Sequence, residues 1–146
     1  MIEQGLQQEI NMVMTEARNR RLEFVTVEHL LLALLNMDEV IAFLRGKRVN
    51  IDELRAELDQ YIDSHTPIIS EDAEIDIVPT VGFQRVLQRS VYQAQSAQKN
   101  SVNAMNVFVS IFSEKESHAV YMLKLNNISR LDVMEGISSH LAENPV

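Results

Sequence analysis

The side chains able to do chemistry are few and scattered. Histidine stands at positions 29, 65, 118 and 140, and cysteine is absent. Without cysteine there is no thiolate nucleophile, no thiolate zinc cluster and no disulfide. Glu114 and His118 lie four apart. On one helix face they would make half a metal site or, more plainly, a solvent-facing i,i+4 pair, since no second ligand pair accompanies them. The four glycines, Gly5, Gly46, Gly82 and Gly136, each stand alone. Gly46-Lys47 has the ending of a phosphate-binding loop, but the earlier glycine such a loop needs would fall at position 41, which is Ile41. Neither H-E-x-x-H nor G-x-S-x-G occurs. The residues therefore predict no catalytic, cofactor or metal site in this chain.

Charged residues beside helix starts are more informative. Glu23-Phe24-Val25-Thr26-Val27-Glu28-His29 places two carboxylates around one turn. Glu28, in a first helical turn, complements the helix dipole, whereas Glu23 has no such local role. A face carrying both suits a lysine or arginine of a partner. Arg85 and Arg89 lie four apart, and Arg130 opens another helix; a solvated face is the plainer reading of all three. His29, beside Leu30, reads as a buried structural histidine. Met12 and Met14 read as core filler, although the seven methionines also allow an adaptable binding surface.

The elements that position these residues are helices. The chain has 146 residues, 46% of them hydrophobic and 23% charged, which suits one folded domain and excludes wholesale disorder. The longest apolar run, Leu30 to Leu35, is far short of a membrane span, and the first residues lack a secretory signal. The reading is a soluble, intracellular protein. Net charge is −8. Residues 1–63 carry seven Lys/Arg against twelve Asp/Glu (net −5), residues 64–79 carry −4, and residues 80–146 carry +1. That balance disfavours nucleic acid and anionic membranes as partners and leaves a protein partner open.

Apolar residues recur with helical spacing at Leu6, Ile10, Met14 and Ala17. Thr26 is a predicted N-cap with a Val25–Leu30 staple. A short helix runs from Asp38 to Arg45 and is expected to stop at Gly46 as a C′ residue. Asn50 caps a fourth helix, with Glu53 in capping-box position and a Val49–Leu54 staple. Residues 64–79 carry no helical stripe and read as an acidic connector tacked down by its isoleucines; an interaction tail is the alternative. From Thr80 the helical pattern resumes with Phe83, Leu87, Val91 and Ala94.

The second half repeats the first. An offset of 77 places Leu6, Ile10, Met14 and Ala17 on that last stripe and Leu30, Leu31, Leu34 and Leu35 on Val107, Phe108, Ile111 and Phe112. Val25, Ala42 and Phe43 fall on Val102, Ala119 and Val120 at the same offset, and after a two-residue insertion Leu44, Val49, Leu54, Leu58 and Ile62 fall on Leu123, Ile128, Val133, Ile137 and Leu141, for sixteen matched positions in all. Caps repeat too, with Asn103 for Thr26, and Ser129 with Asp132 for Asn50 with Glu53. The expected fold is all-α: about eight helices in two four-helix units with pseudo-twofold symmetry. The domain, 1–146, divides into one repeat at 4–63, the connector at 64–79 and a second repeat at 80–141.

Thr26-Val27-Glu28-His29-Leu30-Leu31-Leu32-Ala33-Leu34-Leu35 resembles the repeat signature of Clp amino-terminal domains, which precede the ATPase rings of Clp/Hsp100 unfoldases. Phe83–Arg89, Ile111–Glu114 and Ser129–Val133 resemble the ClpA branch of that family. The resemblance covers essentially the whole chain. It implies a non-catalytic, cytoplasmic docking domain of an AAA+ protease subunit, with ATP and magnesium bound elsewhere in a longer protein. It further implies docking of the adaptor ClpS, engagement of protein substrates, and delivery to ClpP through the full-length hexamer. It suggests an adaptor surface across the seam between the repeats, made of Glu23, Glu28, Thr80, Arg85 and Arg130. The alternative is a chaperone-type module that grips exposed apolar segments of unfolded proteins.

Overall fold

Helix starts are set by side-chain caps, and the strongest of these recur in both halves. Thr26 Oγ1 accepts from the His29 amide while His29 Nδ1 accepts from the Thr26 amide at 3.0 Å, a reciprocal capping box. Asn103 and Asn106 form the same box at the matched position, at 2.9 and 3.0 Å. Ser129 and Asp132 form a third, and there the bond from the Ser129 amide holds the Asp132 carboxyl below its usual range. Asn50 accepts from the Glu53 amide, which is only half of the expected box.

The computed structural model describes residues 1–70 and 77–143, with side chains as far as 138. The middle of the acidic connector and the side chains of His140 and Leu141 lie outside the described residues. Eight helices follow in order: α1 (Gln4–Asn19), α2 (Val27–Leu34), α3 (Asp38–Gly46), α4 (Ile51–His65), α5 (Val81–Ser96), α6 (Ala104–Ile111), α7 (His118–Leu125) and α8 (Arg130–Glu143). Two two-residue strands, β1 (Phe24–Val25) and β2 (Val78–Pro79), pair in parallel. Among the described residues no helix is long and apolar enough to cross a membrane.

α2 and α6 form the centre. Leu30, Leu31, Leu34 and Leu35 are buried, as are Val107, Phe108, Ile111 and Phe112. Helices apolar on nearly every side must be enclosed, and α1, α4 and α5, α8 supply the amphipathic cover. On α5 the buried stripe runs through Phe83, Val86, Ser90 and Ala94, with Leu87 and Val91 only half-buried. Buried Ser90 satisfies its hydroxyl on the Val86 carbonyl at 2.8 Å. Met12, expected in the core, is 63% exposed.

The duplication is visible in the backbone. Arg21, Arg48, Gln98 and Asn127 all have φ near +60°, and they match in pairs at offsets of 77 and 79. Each follows a helix end at which a backbone amide reaches back five residues, as from Leu22 to Ala17 and from Lys99 to Ala94. Gly46 is therefore not the left-handed C′ residue; it is the last residue of α3, and Arg48 takes the left-handed position. The repeats also exchange edges reciprocally. Val25 pairs with Pro79, and Ile2 pairs in parallel with Val102, the same two positions with the repeats interchanged. That exchange is the signature of a pseudo-twofold arrangement.

The connector is stitched rather than merely tacked. Glu23 donates to the Pro67 carbonyl at 2.8 Å, Ile69 donates to Arg21 at 2.7 Å, and Val78 donates to Glu23 at 3.2 Å. Ile77 is buried, but Ile68 is exposed.

Candidate functional site

The turn entering α2 and the start of α5 meet at the seam. The Thr80 amide donates to the Val25 carbonyl at 2.9 Å, and Thr80 Oγ1 caps α5 by accepting from Phe83. Glu23 is exposed just before β1, and its carboxylate has no hydrogen bond or ion pair among the described residues. Gly82 lies against the same turn: a Cβ added there would approach Val27 and the Glu114 carboxylate at 3.1 and 3.0 Å. One helical turn later Arg85 makes a two-pronged ion pair with Glu114, at 3.1 and 2.7 Å. The Glu114 carboxylate raises the Arg85 pKa above its ordinary value, first through the hydrogen bond and then through its charge. Arg85 remains mostly exposed, whereas Glu114 is nearly covered. An open depression beside the pair is lined by Arg85, Arg89 and residues 113–117.

Glu28 departs from the expectation of a surface charge. It is 8% exposed, and its Oε2 accepts from the Ala119 amide at 3.0 Å. That amide belongs to the first turn of α7, so Glu28 in one repeat completes a helix N-terminus of the other. Glu39 of α3 makes a similar link to the Ala104 amide at the start of α6, at 3.3 Å. Arg130 is not gathered with the others; it lines a separate groove with Gln93, Asn106 and Met134.

The Glu114–His118 half-site does not form. α7 begins at His118 with Ser117 as its N-cap, which leaves Glu114 in the preceding turn, paired with Arg85. His118 instead stacks on Tyr61 of α4, with ring centroids 3.8 Å apart and planes within 2°. Tyr61 in turn stacks on His65. Burial, then the Glu28 charge, raises the Tyr61 pKa. This inter-repeat stack carried no sequence signal, because its members are 57 residues apart. Glu114 carried none either, since it lies 29 residues from Arg85. No group of three or more His, Asp or Glu able to hold a metal occurs among the described residues.

Comparison with known proteins places this geometry in a family. A family model described as the Clp repeat (R) N-terminal domain matches residues 1–126. A "ClpA homolog protein" of Fuscovulum blasticum is 35% identical over 141 residues, which is 96% of this chain but 18% of that protein. The chain thus spans under a fifth of that relative. The Hsp104 N-terminal domain of Candida albicans has a similar fold (TM-score 0.77, 12% identity, 92% of this chain and 87% of that one). So does the N-domain of ClpV from Vibrio cholerae (TM-score 0.76, 13% identity, 99% and 87%). With the model covering most of the chain and the duplicated helical fold agreeing, this chain belongs to the Clp repeat N-terminal domain family.

Proposed function

We propose that this domain is the adaptor- and substrate-docking module of a ClpA-type unfoldase subunit, and that it binds ClpS at the seam between its repeats. The observation that carries this reading is the juxtaposition at the β1–β2 pair. There Glu23 stands unpaired beside Thr80, and Arg85 stands exposed one turn further along. An unpaired carboxylate beside a guanidinium held in a fixed plane can recognise a partner's cation and carboxylate together. Glu28 contributes by holding the two repeats in register, not by direct contact. Arg130, in its separate groove, is the outlying member, reached only by a partner that extends around α5. The subunit's ATP-driven unfolding, its delivery of substrates to ClpP and its cytoplasmic location belong to the same proposal.

Calorimetric titration of ClpS into Glu23→Ala and Arg85→Ala tests it. A charge desolvated at the centre of an interface costs about 2–5 kcal/mol when truncated, whereas a rim charge alters mainly the on-rate and its salt dependence. Glu23→Ala is expected to weaken binding at least tenfold. Parent-like binding by both variants, each with an unchanged melting curve, would place the site elsewhere.

A further inference from the structure

Glu114 is fixed before it meets Arg85. It lies in the turn between α6 and α7, where its amide donates to the Ile111 carbonyl at 2.9 Å. Its own carbonyl accepts from the Ser117 amide at 3.0 Å and from the Ser117 hydroxyl at 2.7 Å. The side chain, 11% exposed, reaches the first turn of α5, where a Cβ added to Gly82 would stand 3.0 Å from Oε1. Glycine is a poor helix former and no glycine here has a positive φ, so what Gly82 supplies is space for the carboxylate rather than backbone freedom.

The carboxylate takes Arg85 from the side. Oε2 accepts from Nε at 3.1 Å, and Oε1 accepts from Nη2 at 2.7 Å. These are two of the five N–H donors of a guanidinium. The other Nη2 hydrogen and one Nη1 hydrogen form a second parallel fork along the end edge. That edge has no hydrogen-bond partner among the described residues, and the Arg85 side chain is 55% exposed. Among protein side chains only a carboxylate offers two coplanar acceptor oxygens to such a fork. Because Glu114 offsets the charge of Arg85, attraction over distance falls to Arg89, one turn along α5 on the same depression and without an ion pair among the described residues. The other two charges there, Lys115 and Glu116, offset one another.

We infer that a docked partner adds a carboxylate to the end edge of Arg85 without displacing Glu114, which acts as the positioning residue of the docking surface. Such a contact presumes the seam docking proposed above and fixes what ClpS must present there. Arg85 meets the partner already held in one rotamer, so that ordering is not left to the binding step. Lysine keeps the charge but has no second edge. The ¹⁵N signal of the Arg85 Nε–H group reads the side edge alone. In the free domain this hydrogen should exchange slowly with water, and Glu114→Ala should abolish the protection. With ClpS added to saturation the protection should persist while the Nη signals of Arg85 shift. In calorimetric titration Arg85→Lys, with an unchanged melting curve, should bind ClpS at least tenfold more weakly. Loss of the Nε–H protection on binding would mean that ClpS replaces Glu114, and parent-like affinity of Arg85→Lys would mean that charge alone suffices; either overturns the inference. A parent domain that fails to bind ClpS at all overturns the docking reading itself, an outcome distinct from those two.

Discussion

Glu28→Ala separates a structural tie from a docking contact. The Glu28 carboxylate is almost fully buried and accepts the Ala119 amide hydrogen at 3.0 Å. Truncation removes a charge-assisted hydrogen bond of about 1.5–3 kcal/mol and leaves an amide of the α7 first turn without its acceptor. The loss of a negative charge at that N-terminus adds about 0.3–1 kcal/mol. The total is about 2–4 kcal/mol, roughly 6–15 °C in Tm for a domain of this size. Glu28→Gln keeps an acceptor of the same shape and loses only the charge, so about 1 kcal/mol is expected. Urea unfolding monitored by circular dichroism gives both values. If Glu28→Ala lies within about 0.5 kcal/mol of the parent, an ordinary surface substitution, then the link between repeats carries no weight and the argument from burial fails. The same variants bear on docking: Glu28→Gln, still folded, should bind ClpS like the parent while Glu23→Ala does not.

The remaining expectations concern stability. His29 has its folded pKa lowered to about 4 from 6.5, so the unfolded chain binds the proton more readily. The associated stability is complete above pH 6.5 and falls as pH drops toward 4, by about 3 kcal/mol in all; His29→Asn should flatten that part of the parent's pH profile. Gln98 holds φ near +59°, and Gln98→Gly should stabilise the domain by about 0.5–1 kcal/mol in denaturant titration, because glycine adopts that conformation without a Cβ penalty. Gly136→Ala places a methyl 2.7 Å from the Phe43 ring, which itself packs edge-on against Phe108. It should destabilise by about 1–2 kcal/mol despite alanine's helix propensity, whereas Gly5→Ala, with nothing within 4 Å, should be neutral or stabilising by up to about 1 kcal/mol in the same assay.

Much of the fold was legible because it rests on local rules applied twice. Caps at Thr26, Asn103 and Ser129 and the apolar stripes of α1, α2 and α6 are short-range patterns, and an internal repeat lets each check the other. The departures arose where a tertiary contact overrode a local one. Gly46 looked like a C′ residue, but the reach from Val49 back to Leu44 placed the left-handed turn at Arg48. On α5, Val86 and Ser90 are buried beside Phe83 and Ala94, while Leu87 and Val91 pack half-buried at the edge of the core. Glu28 looked like a surface charge because its acceptor role lies 91 residues away, and no spacing rule reaches that far. The seam showed the same limit. Thr80 at the seam came with the family resemblance, and the Arg85–Glu114 pair joins residues 29 apart whose closeness depends on how α5 meets the turn after α6.

Duplication also explains how one scaffold comes to present two different faces. The backbone tolerates interchange of the repeats, since Val25–Pro79 and Ile2–Val102 are the same pairing made twice and four left-handed residues recur in register. The polar side chains do not follow that symmetry. Glu23 of the first repeat corresponds to Asn100, and Arg85 corresponds to Gln8, so the two seams carry different charges. A symmetric pair of seams would offer a partner two equivalent sites. Glu23 and the Arg85–Glu114 pair lie on one seam, while buried Glu28 and exposed Glu39 join the repeats at other helix starts. The asymmetry therefore lies in a handful of exposed side chains on a frame whose stability is set by symmetric burial, and those side chains can change without disturbing the core.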